Sequence, residues 1–156
     1  MRKFPIFFLL PLLMTIALSC DRNRFYDRSV SIPGNGWHKD STALFNVDVK
    51  DTVGLYRVLI NLRNNNDYLY NNFYLFLNST LPNGDLARDT IELILADRTG
   101  KWLGRGFGRI KDNQVEVRYG LRFPQKGNYT FEIEQAMRDT ILAGIVNVGI
   151  RIEKRD

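Results

Sequence analysis

One cysteine and one histidine stand among the 156 residues, and that scarcity removes most metal and redox chemistry. A lone thiol cannot close a disulfide within the chain. A structural zinc site needs four Cys/His ligands and a catalytic one usually three protein ligands, so neither a metal nor a cofactor is expected. His38 has no Gly-x-Ser-x-Gly elbow to serve, and a triad drawn through it lacks its nucleophile. Charge of one sign is also scarce. The formal charge is +5, but Arg2 and Lys3 lie in the leading segment, which leaves an excess of +3 in the rest. Such an excess is too small for a nucleic-acid binder, and no nucleic-acid partner is expected. The 44% hydrophobic and 25% charged composition is that of a folded domain, and the length allows one.

The hydrophobic run that is present lies at the start. Met1-Arg2-Lys3 gives positive charge and Phe4 to Leu18 an apolar stretch too short to span a bilayer, which is the pattern of a signal peptide. Ala17-Leu18-Ser19-Cys20 resembles the lipobox of bacterial lipoproteins, in which a small residue precedes a cysteine that is acylated and becomes the mature N-terminus. The expected organisation is a lipoprotein signal peptide over 1–19, a lipidated N-terminus with a linker and irregular lead-in over 20–40, and a β-sandwich over 41–156. Each buried methylene contributes about 0.8 kcal/mol, so two or three acyl chains on Cys20 anchor stably where one would not.

After Asp40 the hydrophobic period becomes two. Leu44 to Lys50, Tyr56 to Arg63, Phe73 to Leu77, Ile91 to Leu95, Val115 to Tyr119, Tyr129 to Glu134 and Val148 to Glu153 all read as strands. Asn64-Asn65-Asn66-Asp67, Pro82-Asn83-Gly84-Asp85, Lys111-Asp112-Asn113 and Pro124 to Asn128 read as the turns between them. Only Gln135 to Leu142 suits a short helix. The prediction is an all-β antiparallel sandwich, jelly-roll or immunoglobulin-like, with seven or eight strands and at most one short helix.

Two segments stand out chemically. Between Arg98 and Lys111 there are five basic residues and no acid, interleaved with Trp102 and Phe107 and with Gly104, Gly106 and Gly108. No strand, glycine loop and helix succession accompanies these glycines, so they do not form a phosphate loop. The second segment is Asn64, Asn65, Asn66, Asp67 and Tyr68. With Lys101, Trp102, Arg105, Phe107 and Arg109, these are the candidate interaction loops, because they exceed what strand connections require. Glu132 and Glu134 share one strand face, opposite Phe131 and Ile133, and read as solvated carboxylates rather than a glycosidase pair. No catalytic residue is assigned, and the chain is not expected to be an enzyme.

Asp21-Arg22-Asn23 with Tyr26, Asn35 to Asp40, Asn61 to Tyr68, Asp97 to Gly106, Lys111-Asp112-Asn113 and Glu132 to Arg138 together resemble the gliding motility lipoprotein GldH family of the Bacteroidota, over nearly the whole chain. The resemblance implies a cell-envelope lipoprotein required for gliding. Its implied partners are the membrane, through the lipid, and other motility or type IX secretion envelope proteins. The alternative is a lipid-anchored module that binds a glycan or an anionic headgroup, with rings of Trp37 and Trp102 exposed rather than buried; a small-molecule ligand is not expected. Asp21 is followed by Arg22-Asn23-Arg24 rather than by an acidic run, so the expected location is the periplasmic face of the outer membrane. In Bacteroidota, periplasmic proteins can be O-glycosylated at Asp-Ser/Thr followed by Ala, Ile, Leu, Val, Met or Thr. Four such triplets, at Ser41, Thr52, Thr90 and Thr140, exceed chance for this composition. The competing reading of these Asp-Ser/Thr pairs is that they close turns through the aspartate side chain.

Overall fold

A computed structural model describes residues 21–155, in which strands run in the order β1 (Arg24–Ser31), β2 (Trp37–His38), β3 (Thr42–Val49), β4 (Leu55–Asn64), β5 (Asn72–Thr80), β6 (Leu86–Ile94), β7 (Lys111–Leu121), β8 (Gly127–Gln135), β9 (Ile141–Leu142) and β10 (Ile145–Arg155). The signal peptide and Cys20 lie outside the described residues. Two four-stranded antiparallel sheets, ordered β1-β10-β4-β7 and β3-β8-β5-β6, face each other, and β2 pairs with β9 in a short ribbon. Eight long strands match the expected number, and the ribbon adds two strands of two residues each.

Period-two patterning does what it should. In β3 the inward row is Ala43, Phe45, Val47 and Val49, all buried, and the outward row Thr42, Leu44, Asn46 and Asp48 is exposed. Val58, Ile60 and Leu62 of β4 lie beside Val148, Ile150 and Ile152 of the adjacent β10 in one sheet, and Phe73, Leu75, Leu77, Phe131 and Ile133 of the other sheet close the core from the opposite side. Each such side chain contributes about 1.5–3 kcal/mol on burial, which makes this interface the main source of stability.

Lys111-Asp112-Asn113, read as a turn, instead begin β7 and pair with Asn64, Arg63 and Leu62, and the lead-in needs correction too. The irregular lead-in over 20–40 contains a full edge strand, β1, paired with β10 from Arg24↔Glu153 to Ser31↔Asn147. Its inward row is Tyr26, Arg28 and Val30, so a charge interrupts the apolar alternation and hides the strand from a periodicity reading. Gln135 to Leu142, the one stretch suited to a short helix, holds none, as the bound of at most one allows. The Gln135 side chain closes a loop instead: its Oε1 accepts the Met137 N–H at 2.8 Å and its Nε2 donates to the Asp139 carbonyl at 2.7 Å. Ile141 and Leu142 then pair with His38 and Trp37.

The register gives the sandwich two poles. Arg24, Leu55, Leu121, Gly127 and Arg155 end strands at one, beside Asp21, the first described residue. Ser31, Asn64, Lys111, Gln135 and Ile145 end strands at the other. The 11 residues of β10 separate the poles by about 35 Å at about 3.3 Å per residue.

Candidate functional site

Both candidate loops lie at the pole far from Asp21, and the structure joins them. The first is held from within. Asn64, the last residue of β4, is fully buried, and its Oδ1 accepts a hydrogen bond at 2.9 Å from Nδ2 of Asn113 on β7, which also donates to the Leu62 carbonyl at 3.1 Å. Asn65 then turns the chain: its N–H donates to the Gly144 carbonyl and its Oδ1 accepts the Asp67 N–H at 2.8 Å. Tyr68 drops into the core at 3% exposure, its hydroxyl donating to the Asn72 carbonyl at 2.6 Å. Burial, reinforced by Tyr70 and Asp139, pushes its phenol well above the usual tyrosine range, so it stays neutral.

The second loop runs from the end of β6 to the start of β7. Asp97 organises its first turn, its Oδ1 accepting from the Thr99 N–H and hydroxyl and the Lys101 N–H; these bonds, the Thr99 hydroxyl first, hold its carboxyl below the usual range. Trp102 is half-buried, its ring 6.5 Å from that of Tyr68. Arg105 and Asp112 exchange backbone hydrogen bonds, and Lys111 Nζ donates to the Gly106 carbonyl at 3.2 Å. The chain closes so tightly here that a Cβ on Gly106 would overlap the Ile110 carbonyl oxygen. At the tip Phe107 is wholly exposed. Arg109 reaches back to Asp67, with Nη2 to Oδ1 at 3.1 Å.

Of the sequence-chosen loop residues, Asn66, Asp67, Lys101, Arg105, Phe107 and Arg109 are therefore exposed at this pole, whereas Asn64 and Tyr68 are internal supports. Exposed Leu69 and Leu103 also lie in these two loops and were not singled out by the sequence. An isolated leucine carries no signal until its exposure is known.

The sequence also gave no sign of a cleft of about 680 Å³ where the second loop overhangs the outer face of the β1-β10-β4-β7 sheet. Registration aligns Ser29, Gly149, Asn61 and Gln114 in one row across β1, β10, β4 and β7. Gly149 has no room for a side chain, since a Cβ would stand 2.6 Å from the Arg28 carbonyl oxygen. Asn147, Arg63 and Asp112 form the next row, and Ile94, Leu103 and Arg105 contribute to the wall.

Elsewhere, Trp37 is sealed in the core at 1% exposure, stacked on Phe73, with Nε1 donating to the Ser41 carbonyl at 2.8 Å. Glu134 accepts from Asn78 at 2.7 Å and Arg88 at 3.2 Å on the outer face of the second sheet, so it is a ladder partner there. Ser41, Thr90 and Thr140 are exposed, and Thr52 is half-buried. Asp51 Oδ1 accepts the Val53 and Gly54 N–H groups, so before Thr52 the aspartate does close a turn.

The sequence matches the family described as GldH lipoprotein over residues 24–152. It is 42% identical over 145 residues to the gliding motility lipoprotein GldH homolog of Christiangramia forsetii, covering 88% of each chain. It is 36% identical over 148 residues to the gliding motility lipoprotein GldH of Flavobacterium johnsoniae, covering 90% of this chain and 91% of that one. Among solved structures, an exo-β-1,3-galactanase from Phanerochaete chrysosporium aligns at a TM-score of 0.38 and 11% identity, over 82% of this chain and 26% of its own. At that level the likeness bears on neither fold nor function.

Proposed function

The chain belongs to the GldH lipoprotein family, and from that premise we propose that it is a non-catalytic assembly component of the gliding machinery. In this reading Cys20 carries the lipid on the periplasmic face of the outer membrane. The far-pole loops, Asn64 to Tyr68 and Lys101 to Arg109, meet other motility lipoproteins or proteins of the type IX secretion system. The observation that supports this reading is polarity: Asp21, next in sequence to Cys20, lies at one pole, and the two loops are tied together at the other, about 35 Å away by strand length.

The alternative, a glycan- or headgroup-binding module, has less support. Trp37 is buried and Trp102 half-buried, so neither indole is the fully exposed ring that a sugar-stacking site uses. A basic loop at the far pole also points away from the headgroups of its own membrane.

The test is allelic replacement in the native host. Phe107→Ala with Arg105→Glu should abolish colony spreading while the protein remains abundant and membrane-associated. Cys20→Ala should shift the protein out of the detergent phase and block its processing. Normal spreading by the loop variant, or unchanged partitioning by the cysteine variant, would overturn the corresponding half of the reading.

A further inference from the structure

The cleft under the second loop has a chemistry of its own. Its floor carries one uncharged polar group from each of four strands: Ser29, Asn147, Asn61 and Gln114. Asn61 donates to Asp27 at 3.3 Å and accepts from Gln114 at 2.9 Å, and Asn147 donates to Ser31 at 3.0 Å. These bonds leave Gln114 Oε1, Asn147 Oδ1 and Ser29 Oγ without a protein partner among the described residues, along with the second proton of each amide. Both donors and acceptors are therefore offered. Gly149, between Ser29 and Asn61, lowers the floor where a side chain would otherwise stand.

The walls add two further requirements on an occupant. Ile94 and Leu103 are more than half exposed at the rim and offer an apolar contact. Arg63 is engaged with Asp112 at 2.5 Å, but Arg105 makes no ion pair among the described residues. Its guanidinium is thus available for a carboxylate in a bidentate arrangement. No aromatic ring lines the cleft, so the stacking surface that a sugar ring uses is missing. Side-chain amides match the alternating N–H and C=O groups of an extended backbone, and a row across four strands is about 14 Å long, the span of about four extended residues.

We propose that this cleft binds an extended acidic peptide segment of a partner protein, with a carboxylate on Arg105 and a neighbouring aliphatic side chain against Ile94 and Leu103. The proposal rests on reading the far pole as an interaction surface, and it adds the chemistry of what is recognised there.

The experiment uses the mature acylated protein in detergent and a fluorescein-labelled, end-blocked peptide of alternating valine and aspartate, followed by anisotropy. Its twin with lysine in place of aspartate is the control. Saturable binding of the aspartate peptide alone is expected. Arg105→Glu should weaken it at least about tenfold, as loss of a charge-assisted hydrogen bond implies. Gln114→Trp, which fills the floor from an exposed position, should abolish binding, and Lys126→Glu at the anchor pole should leave it unchanged. Circular dichroism of each variant separates lost binding from lost folding. Equal binding of both peptides, insensitivity to Arg105→Glu and Gln114→Trp, or displacement of the peptide by an oligouronate that binds more tightly would each overturn the proposal. A variant that binds peptide normally yet fails to support gliding bears on the assembly role and not on this site.

Discussion

Arg109 Nη2 lies 3.1 Å from Asp67 Oδ1, joining two loops that are 42 residues apart in sequence. Both side chains are well exposed, so the pair is worth less than about 1 kcal/mol and positions the loops rather than stabilising the fold. Charge reversal of Arg109 to Glu should therefore move the melting temperature by no more than about 4 °C while impairing colony spreading. The swapped pair, Arg109→Asp with Asp67→Arg, should recover spreading in part. A swap that behaves as badly as the single variant would remove the ion pair from the explanation.

Gly144 and Gly84 make a matched comparison. Both have positive φ, +83° and +90°, but a Cβ on Gly144 would overlap the Tyr68 backbone nitrogen, whereas one on Gly84 meets nothing within 4 Å. Gly84→Ala should cost only the left-handed backbone penalty, about 1–2 kcal/mol. Gly144→Ala must also push the first loop off the β9–β10 turn, and urea unfolding should show a clearly larger loss. Equal losses would mean that the loop yields freely.

On the outer face of the first sheet, Arg151 at 13% side-chain exposure bonds Asp21, Asp27 and Glu153, and Arg57 Nη2 approaches Glu153 at 2.5 Å. Burial alone would raise the Glu153 carboxyl, but the hydrogen bonds from Arg151 and Arg57 outweigh it and hold the carboxyl below its usual range. A depressed folded-state value stabilises above the unfolded value of about 4.3 and is lost as pH falls through the folded one. Unfolding free energy should accordingly decline on acidification below about pH 4.3, and Glu153→Gln should flatten that decline. Arg151→Ala should cost about 2–3 kcal/mol at neutral pH, because it leaves a carboxylate that is 8% exposed with one partner fewer.

O-glycosylation remains our proposal for Ser41, Thr52, Thr90 and Thr140. Ser41, Thr90 and Thr140 are exposed and can carry a glycan without disturbing the core, whereas half-buried Thr52 sits in the turn that Asp51 closes. Protein purified from its native host should exceed the mass of the acylated chain, and the Ser41→Ala, Thr90→Val and Thr140→Val triple variant should lose most of that excess. A native mass equal to the acylated chain would rule the modification out.

Strand identity and facing were legible in the sequence wherever one face is apolar and the other polar, as in Ala43 to Val49, because that alternation is a local property of the pleat. The pattern likewise identified both unusual loops, since their composition departs from what a turn needs. It could not identify β1, whose inward row contains Arg28, nor foresee that Gln135 would spend its side chain closing a loop in the one stretch suited to a short helix. It did not tell buried Asn64 from exposed Asn66 either; that distinction depends on Asn113 arriving from 49 residues away to satisfy Asn64. The cleft is tertiary throughout. Ser29, Asn61, Gln114 and Asn147 come from four strands whose order no local pattern encodes, and only the pairing of β10 between β1 and β4 brings them onto one floor.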